Sequence, residues 1–270
     1  MQPHRAIAWD TADEPTIEPP EAIERPVMLQ RWDDLTFLHW PYAPETVAQL
    51  LPPGLQVDTI DGAAWVGVVP FRLTIRAPGM PAVPWAGRFA EVNVRTYVRG
   101  PDGRRGIWFL SLDAARIGGV VLARHTYRIP YVWARTTAER RGSQVRYRSR
   151  RRWPGPRGAS LALQVRLDDP LDTGDLDDLE RFLICRWRLY SPGPATLPAR
   201  RVPFLATQVE HPAWPLRRAV VESLHESLVA ATGLPSPTGP PLVHHSPGVA
   251  VRFGARSLVD DLHAPSHGFA

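Results

Sequence analysis

Lysine is absent from this chain: all 32 of its basic residues are arginine. No side chain can therefore form an imine, since that step needs an amine nucleophile of depressed pKa. The N-terminal amine, on a segment read below as a loose tail, is a poor substitute. The single cysteine, Cys185, excludes an internal disulfide and any multi-cysteine zinc site. It lies among apolar residues in "RFLICRWRLY" and reads as a buried thiol rather than a nucleophile. No apolar run approaches the length of a membrane span. Residues 1–25 are acidic and proline-containing, without the apolar stretch of a signal peptide. A soluble, cytoplasmic protein is expected. Also missing are a glycine-rich phosphate loop, an HEXXH pair and a nucleophile elbow around any serine. His39, His125, His211, His225, His244 and His245 show no zincin spacing, and the adjacent His244 and His245 point to opposite faces of a strand. Neither a metal nor a cofactor is expected.

What is present is a chain of 270 residues with 30 prolines and a net charge of +5. That length suffices to bury a core without disulfides or metals, and the prolines predict many strand ends and turns. Arginine in place of lysine suits bidentate oxyanion recognition, but a codon bias that replaces lysine by arginine explains it more simply. A charge of +5 is mild for this length and does not argue for nucleic acid. The densest basic run, "VRYRSRRRW" at 145–153 with its arginine-rich centre at 146–152, offers Tyr147 and Trp153 as stacking rings. The same letters suit an exposed strand edge guarded by charge, and no nucleic-acid motif accompanies them. No nucleic-acid or membrane partner is expected. A homo-oligomer is left open.

Residues 1–25 and 257–270 lack sustained periodicity and are expected to be flexible tails around one domain at 26–256. Strands are expected at 32–40, 63–76, 159–167, 186–191, 201–211 and 243–253. Two hairpins are expected, 89–100 with 105–113 through "GPDGR", and 131–139 with 144–153 around Arg141 and Gly142. Short helices are expected at 43–54, 174–185 and 226–233. A further one at 114–127 would be capped by Asp113, with Gly118 and Gly119 marking a close approach. Many strands at short spacing with few helices make the fold mainly β, a barrel or a strongly curved sheet.

The stretch "FAEVNVRTYV" alternates strictly, so Glu91, Asn93, Arg95 and Tyr97 share one face and Val92, Val94, Thr96 and Val98 the other. The aliphatic face should meet the core. The polar face either meets water or lines the lumen of a wide barrel, where a carboxylate, an amide and a guanidinium in one row make a selective wall.

The succession "QRWDDLTFLHWPY", "ETVAQLLPPGLQVDTIDGAAWVGVVPFRL", "FAEVNVRTYV", "GIWFLSLDAAR", "YRIPYVWA", "VRYRSRR" and "HPAWPL", from about residue 27 to 253, resembles the DUF2071 family, to which YqjF-like proteins belong. That family is similar in fold to acetoacetate decarboxylase, and the resemblance implies a large closed β-barrel with a few peripheral helices. It aligns Arg31 with an active-site arginine, Glu91 with an active-site glutamate and "SLDAAR", with Asp113, with a helix start. Tyr131 then stands where a Schiff-base lysine would be, with Val132 beside it. The lysine mechanism is thereby excluded. A pocket with Arg31, Asn93, Arg95 and Asp113 binding a small organic carboxylate or carbonyl compound is the expectation. The alternative is a lysine-independent lyase, isomerase or hydratase, in which Glu91 acts as general base and Tyr131 donates to an oxyanion. The plainer possibility is that Arg31 and Glu91 neutralise each other as a buried pair.

Overall fold

The computed structural model describes residues 15–81, 87–115, 129–193 and 204–259. Its strands are β1 (Met28–Tyr42), β2 (Gln56–Val57), β3 (Ala64–Arg76), β4 (Arg88–Arg99), β5 (Arg105–Ala114), β6 (Tyr131–Arg141), β7 (Gln144–Trp153), β8 (Ser160–Leu171), β9 (Arg188–Pro192), β10 (Phe204–Glu210), β11 (Leu216–Glu226) and β12 (Leu242–Val259). The described helices are short: α1 (Pro44–Ala48) and α2 (Asp178–Ile184). Among the described residues no helix is long and apolar enough to cross a membrane.

Five strands form the middle of the sheet, paired antiparallel in the order β12–β1–β3–β4–β5. The two outermost of these fork. Near its start β5 pairs in parallel with β9 through Ile107 and Trp108, and near its end it pairs in parallel with β6 through Leu112 to Ala114. Likewise β12 pairs with β11 at His244 and His245, and with β10 from Arg252 to Val259. One branch therefore runs β5–β9–β10–β12, and the other runs β5–β6–β7–β8–β11–β12. Each branch leads from one end of the central five strands to the other, so over much of their length both faces of those strands are covered. The cores divide accordingly. Phe37, Val69, Phe71 and Tyr97 belong to one cluster, while Leu38, Val68, Val92 and Val94 belong to another. Alternation along each strand sends successive residues to opposite cores.

Helix α2 supplies one cap of the first core. Asp177 accepts from the Glu180 backbone N–H at 2.7 Å, and the Glu180 carboxylate accepts from the Asp177 N–H at 3.0 Å. This reciprocal box satisfies two donors that a helix start leaves orphaned. Phe182, Leu183 and Ile184 are buried from the same helix. In β3, Pro70 falls where the pairing with β1 is interrupted, between Asp33/Arg72 and Leu38/Val68. Proline cannot donate to a ladder, and such an irregularity is where a sheet tolerates it.

Both expected hairpins are present, the second closed at Gly142 with φ of 60°. Several expectations need correction. The strand β11 was not expected; its register shifts twice, between Arg217 and Ala219 and between Val221 and Ser223, which breaks the period-two pattern that marks a strand. The helix expected at 226–233 is a single 3-10 turn, Ala230–Thr232. Residues 257–259, expected in a tail, pair with Ala206, Leu205 and Phe204 in β10. At the other end, residues 15–25 are anchored: the Trp187 indole donates to the Thr16 carbonyl at 3.0 Å, Gln208 donates to the Glu21 carbonyl at 2.8 Å, and Ile23 is buried. Asp113 caps no described helix but ends β5 with Ala114. The rest of the helix expected there lies, past Ala115, outside the described residues.

Candidate functional site

The first core does not fill its space. A cavity of about 480 Å³ lies inside it, walled mostly by apolar side chains of β1, β3, β5, β10 and β12. Trp32, Phe71, Leu73, Trp214 and Phe253 line it, with Trp32 stacked on Trp214 at a centroid distance of 6.1 Å. Pockets of this size and character are the usual hosts of small organic ligands.

The polar part of the wall comes from β4. Glu91, Asn93 and Arg95 all line the cavity and are 3%, 5% and 8% exposed. The row expected from alternation is thus real, and it faces the cavity rather than the outer surface. Tyr131, at the start of β6, also lines the cavity, and its hydroxyl donates to Glu91 Oε2 at 3.1 Å. Burial pushes the Glu91 carboxyl up to about 8, opposed by the Tyr131 hydrogen bond and reinforced by Asp113. At neutral pH it is therefore mostly a neutral acid.

Arg95 is a buried cation without a described counter-charge. Its Nη2 makes two long contacts, to the Tyr97 hydroxyl and the Leu183 carbonyl, both at 3.4 Å, and its Nε has no described partner. Its guanidinium lies 5.5 Å from the Phe37 ring centroid and 5.7 Å from that of Tyr97. Among the described residues no carboxylate pairs with it. Beside it, Asn93 Oδ1 is buried with no described hydrogen-bond partner. A guanidinium and an amide left unsatisfied in a low-dielectric wall are costly unless a ligand completes them.

Beneath Arg95 lies a fixed support. The Tyr97 hydroxyl donates to the Leu183 carbonyl at 2.8 Å and meets His39 Nε2 at 2.7 Å. Since that hydroxyl proton is used, His39 must donate from Nε2. Burial, then Arg95, then His244 hold His39 well below its ordinary pKa, so it is neutral. His211, also lining the cavity, meets the Pro212 carbonyl through Nδ1 at 2.8 Å, and burial lowers it to about 4. From the sequence, Tyr97 was placed on this face, while His39 and His211 were weighed only as metal ligands. Arg186 and Arg188 reach the cavity as well, but Asp58 takes Arg186 at 3.0 Å and Asp102 takes Arg188 at 3.0 Å. Their alternation with Tyr190 in "RWRLY" was the available signal.

Two expected site residues are elsewhere. Arg31 is half exposed on the outer face of β1, where its Nε pairs with Asp33 at 2.8 Å. Its neighbours Gln30 and Trp32 line the cavity instead. The plainer possibility, an Arg31–Glu91 buried pair, is therefore not what the structure contains. Asp113 is fully buried but does not line the cavity; Arg151 Nε bridges both its oxygens at 2.9 and 3.0 Å, and Arg151 Nη2 donates to Ser111 at 2.6 Å. Both residues lie one step from cavity-lining positions, on the opposite side of their strands. The histidines His244 and His245 diverge as expected, to Glu180 at 2.8 Å and Thr36 at 3.1 Å. No group of three potential metal ligands occurs among the described residues.

Comparison with known proteins places this geometry. The model of the DUF2071 family, described as an uncharacterized conserved protein, matches residues 29–250. The uncharacterized protein YqjF of Bacillus subtilis (strain 168) is 33% identical over 228 residues, covering 84% of this chain and 90% of that one. Among solved structures, an acetoacetate decarboxylase-like enzyme from Sphingomonas wittichii RW1 superposes with a TM-score of 0.58 at 14% identity, covering 87% of this chain and 94% of that one. The enduracididine biosynthesis enzyme MppR complexed with pyruvate gives a TM-score of 0.59 at 14% identity, covering 90% and 94%. At that identity the two structures establish a shared fold.

Proposed function

The chain belongs to the DUF2071 family, and from that premise and the cavity we propose that it is a binding protein for a small organic carboxylate. We read its two circuits of strands as closed barrels, with the cavity as the lumen of the one that includes β9 and β10. The observation that carries the reading is Arg95, a buried guanidinium on the cavity wall with no described carboxylate partner. Charge-assisted bidentate pairing with a carboxylate is the strong way to complete such a group. Asn93 Oδ1 and the neutral Glu91 and Tyr131 pair lie along the same wall to receive the rest of a polar head. Pyruvate, held by a structural neighbour, belongs in the first set of probes. Thermal unfolding is measured with keto, hydroxy and unsaturated carboxylic acids. A ligand at one hundred times its dissociation constant adds about 2.7 kcal/mol to stability, and the expected rise in midpoint vanishes in Arg95→Gln. A rise of the same size in Arg95→Gln removes this residue as the anchor.

A second reading is favoured by one contact, the Tyr131 hydroxyl on Glu91 Oε2. In it, Glu91 accepts a proton from the α-carbon of a bound carbonyl acid, and Tyr131 donates to the enolate oxygen. Glu91 must first lose its own proton, so such a step gains rate as pH rises through about 8. Solvent deuterium should then enter the α-carbon with that pH dependence and should not enter in Glu91→Gln. Incorporation that persists in the variant, or none across a broad set of acids, defeats this reading.

A further inference from the structure

The cavity is far larger than the polar patch it contains. Its polar head sits on one wall, in the row Glu91, Asn93 and Arg95, which spans about 13 Å of strand. Register places Arg95 opposite Gly67 and Glu91 opposite Phe71, so Arg95 is the residue of the row furthest along β3 from Leu73 and Ile75. Towards the Ile75 end the lining becomes Leu73, Trp32, Ile75, Met28 and Phe253, a mainly apolar sleeve with Gln30, Thr207 and Arg256 as polar members. The Gln30 carbonyl oxygen is occupied by the Trp32 indole at 2.6 Å. Arg186 and Arg188, the other cations noted on the wall, already hold Asp58 and Asp102.

A three-carbon keto acid on Arg95 would leave the sleeve unfilled. An extended apolar chain without a charge would leave Arg95 unpaired. We propose that the cavity takes an amphipathic monocarboxylate, such as a fatty or arylalkanoic acid, with its carboxylate on Arg95 and its apolar body running along Phe37 and Trp214 towards Trp32. This rests on the carboxylate reading above and specifies its ligand class. The guanidinium fixes the head, while the sleeve sets affinity through apolar area removed from water. Binding energy should therefore grow with chain length until the sleeve is full.

The test compares octanoate, 4-phenylbutanoate, pyruvate and the uncharged octanamide by isothermal titration against the full chain and against Arg95→Gln. The expected result is that octanoate and 4-phenylbutanoate bind at least about tenfold more tightly than pyruvate. Octanamide should be about as much weaker than octanoate, and the advantage of octanoate over octanamide should disappear in Arg95→Gln. Pyruvate binding as well as octanoate would overturn the apolar-body inference and leave the carboxylate reading standing. Octanamide binding as well as octanoate to the unsubstituted protein would overturn both, and that comparison holds even where Arg95→Gln fails to fold. Heat from none of the four would likewise overturn both.

Discussion

Glu91 is a carboxyl held where a charge is costly, and its pH behaviour should be visible in the stability of the whole chain. Its ordinary value of 4.5 is raised to about 8, chiefly by burial. Between those values the folded chain keeps a proton that the unfolded chain has lost, so stability falls as pH rises from about 5 to 8. Buried histidines run the other way. Burial lowers His211 to about 4 and His245 to about 3, so protonation of their unfolded forms costs stability as pH falls below the ordinary histidine range. The difference between the protein and Glu91→Gln isolates the carboxyl. Over that pH interval the unsubstituted chain should lose on the order of 4 kcal/mol relative to the variant. Urea unfolding at a series of pH values measures it, and parallel curves would mean that Glu91 is already ionised at pH 5. At this scale much was legible. The row Glu91, Asn93, Arg95 and Tyr97 follows from alternation alone. Arg31 does not, because in a strand a displacement of one residue moves a side chain to the other face, and it is Gln30 and Trp32 that face the cavity.

Strand β1 carries the most irregular backbone near the site. Its pairing with β3 shifts between Asp33 and Leu38, and Asp34 in that gap adopts a φ of 46°. The Asp34 carboxylate is buried and held by Arg72 and by Arg140, the latter at 3.1 Å. Opposite Asp33, β12 passes through Gly248 with a φ of 137°. A Cβ there would lie 2.3 Å from the Trp32 carbonyl oxygen. Gly248→Ala should therefore destabilise the protein by about 1–3 kcal/mol, from backbone strain and from the displaced Trp32 peptide. A melting midpoint within 1 °C of the unsubstituted protein would contradict this close approach (on the order of 2–4 °C per kcal/mol is expected at this size). Elements whose alternation holds along nearly all their length, such as β4 and β7 up to Arg151, could be read from sequence with nearly correct bounds. Two register shifts hid β11, whose neighbouring Val220 and Val221 obscure the faces. Helix α2 was legible through its acidic first turn and its apolar last turn.

For the molecule as a whole, the absence of lysine is the firmest constraint. Incubation with pyruvate and borohydride, followed by peptide mass analysis, should add mass to no internal peptide, because a reducible imine needs an amine. A labelled internal peptide would contradict that chemistry outright. The central strands β12, β1, β3, β4 and β5 carry cores on both faces, and this decides where the cavity can be. A polar row on a strand covered on one side would be solvated and of little consequence. Covered on both, the same row becomes the wall of an internal cavity, where a polar group left unpaired is costly. The sequence by itself determined the mainly β class, the two hairpins, the family and the exclusion of imine chemistry, because each rests on local spacing or on residue identity. Only the tertiary structure decided that Arg95 lacks a carboxylate among the described residues, that Asp113 has Arg151, and that Arg31 stands outside. Partners such as Arg151 and Asp113 are 38 residues apart. Alternation says which residues share a face, but which face is covered, and by which charges, depends on pairings between strands distant in the chain.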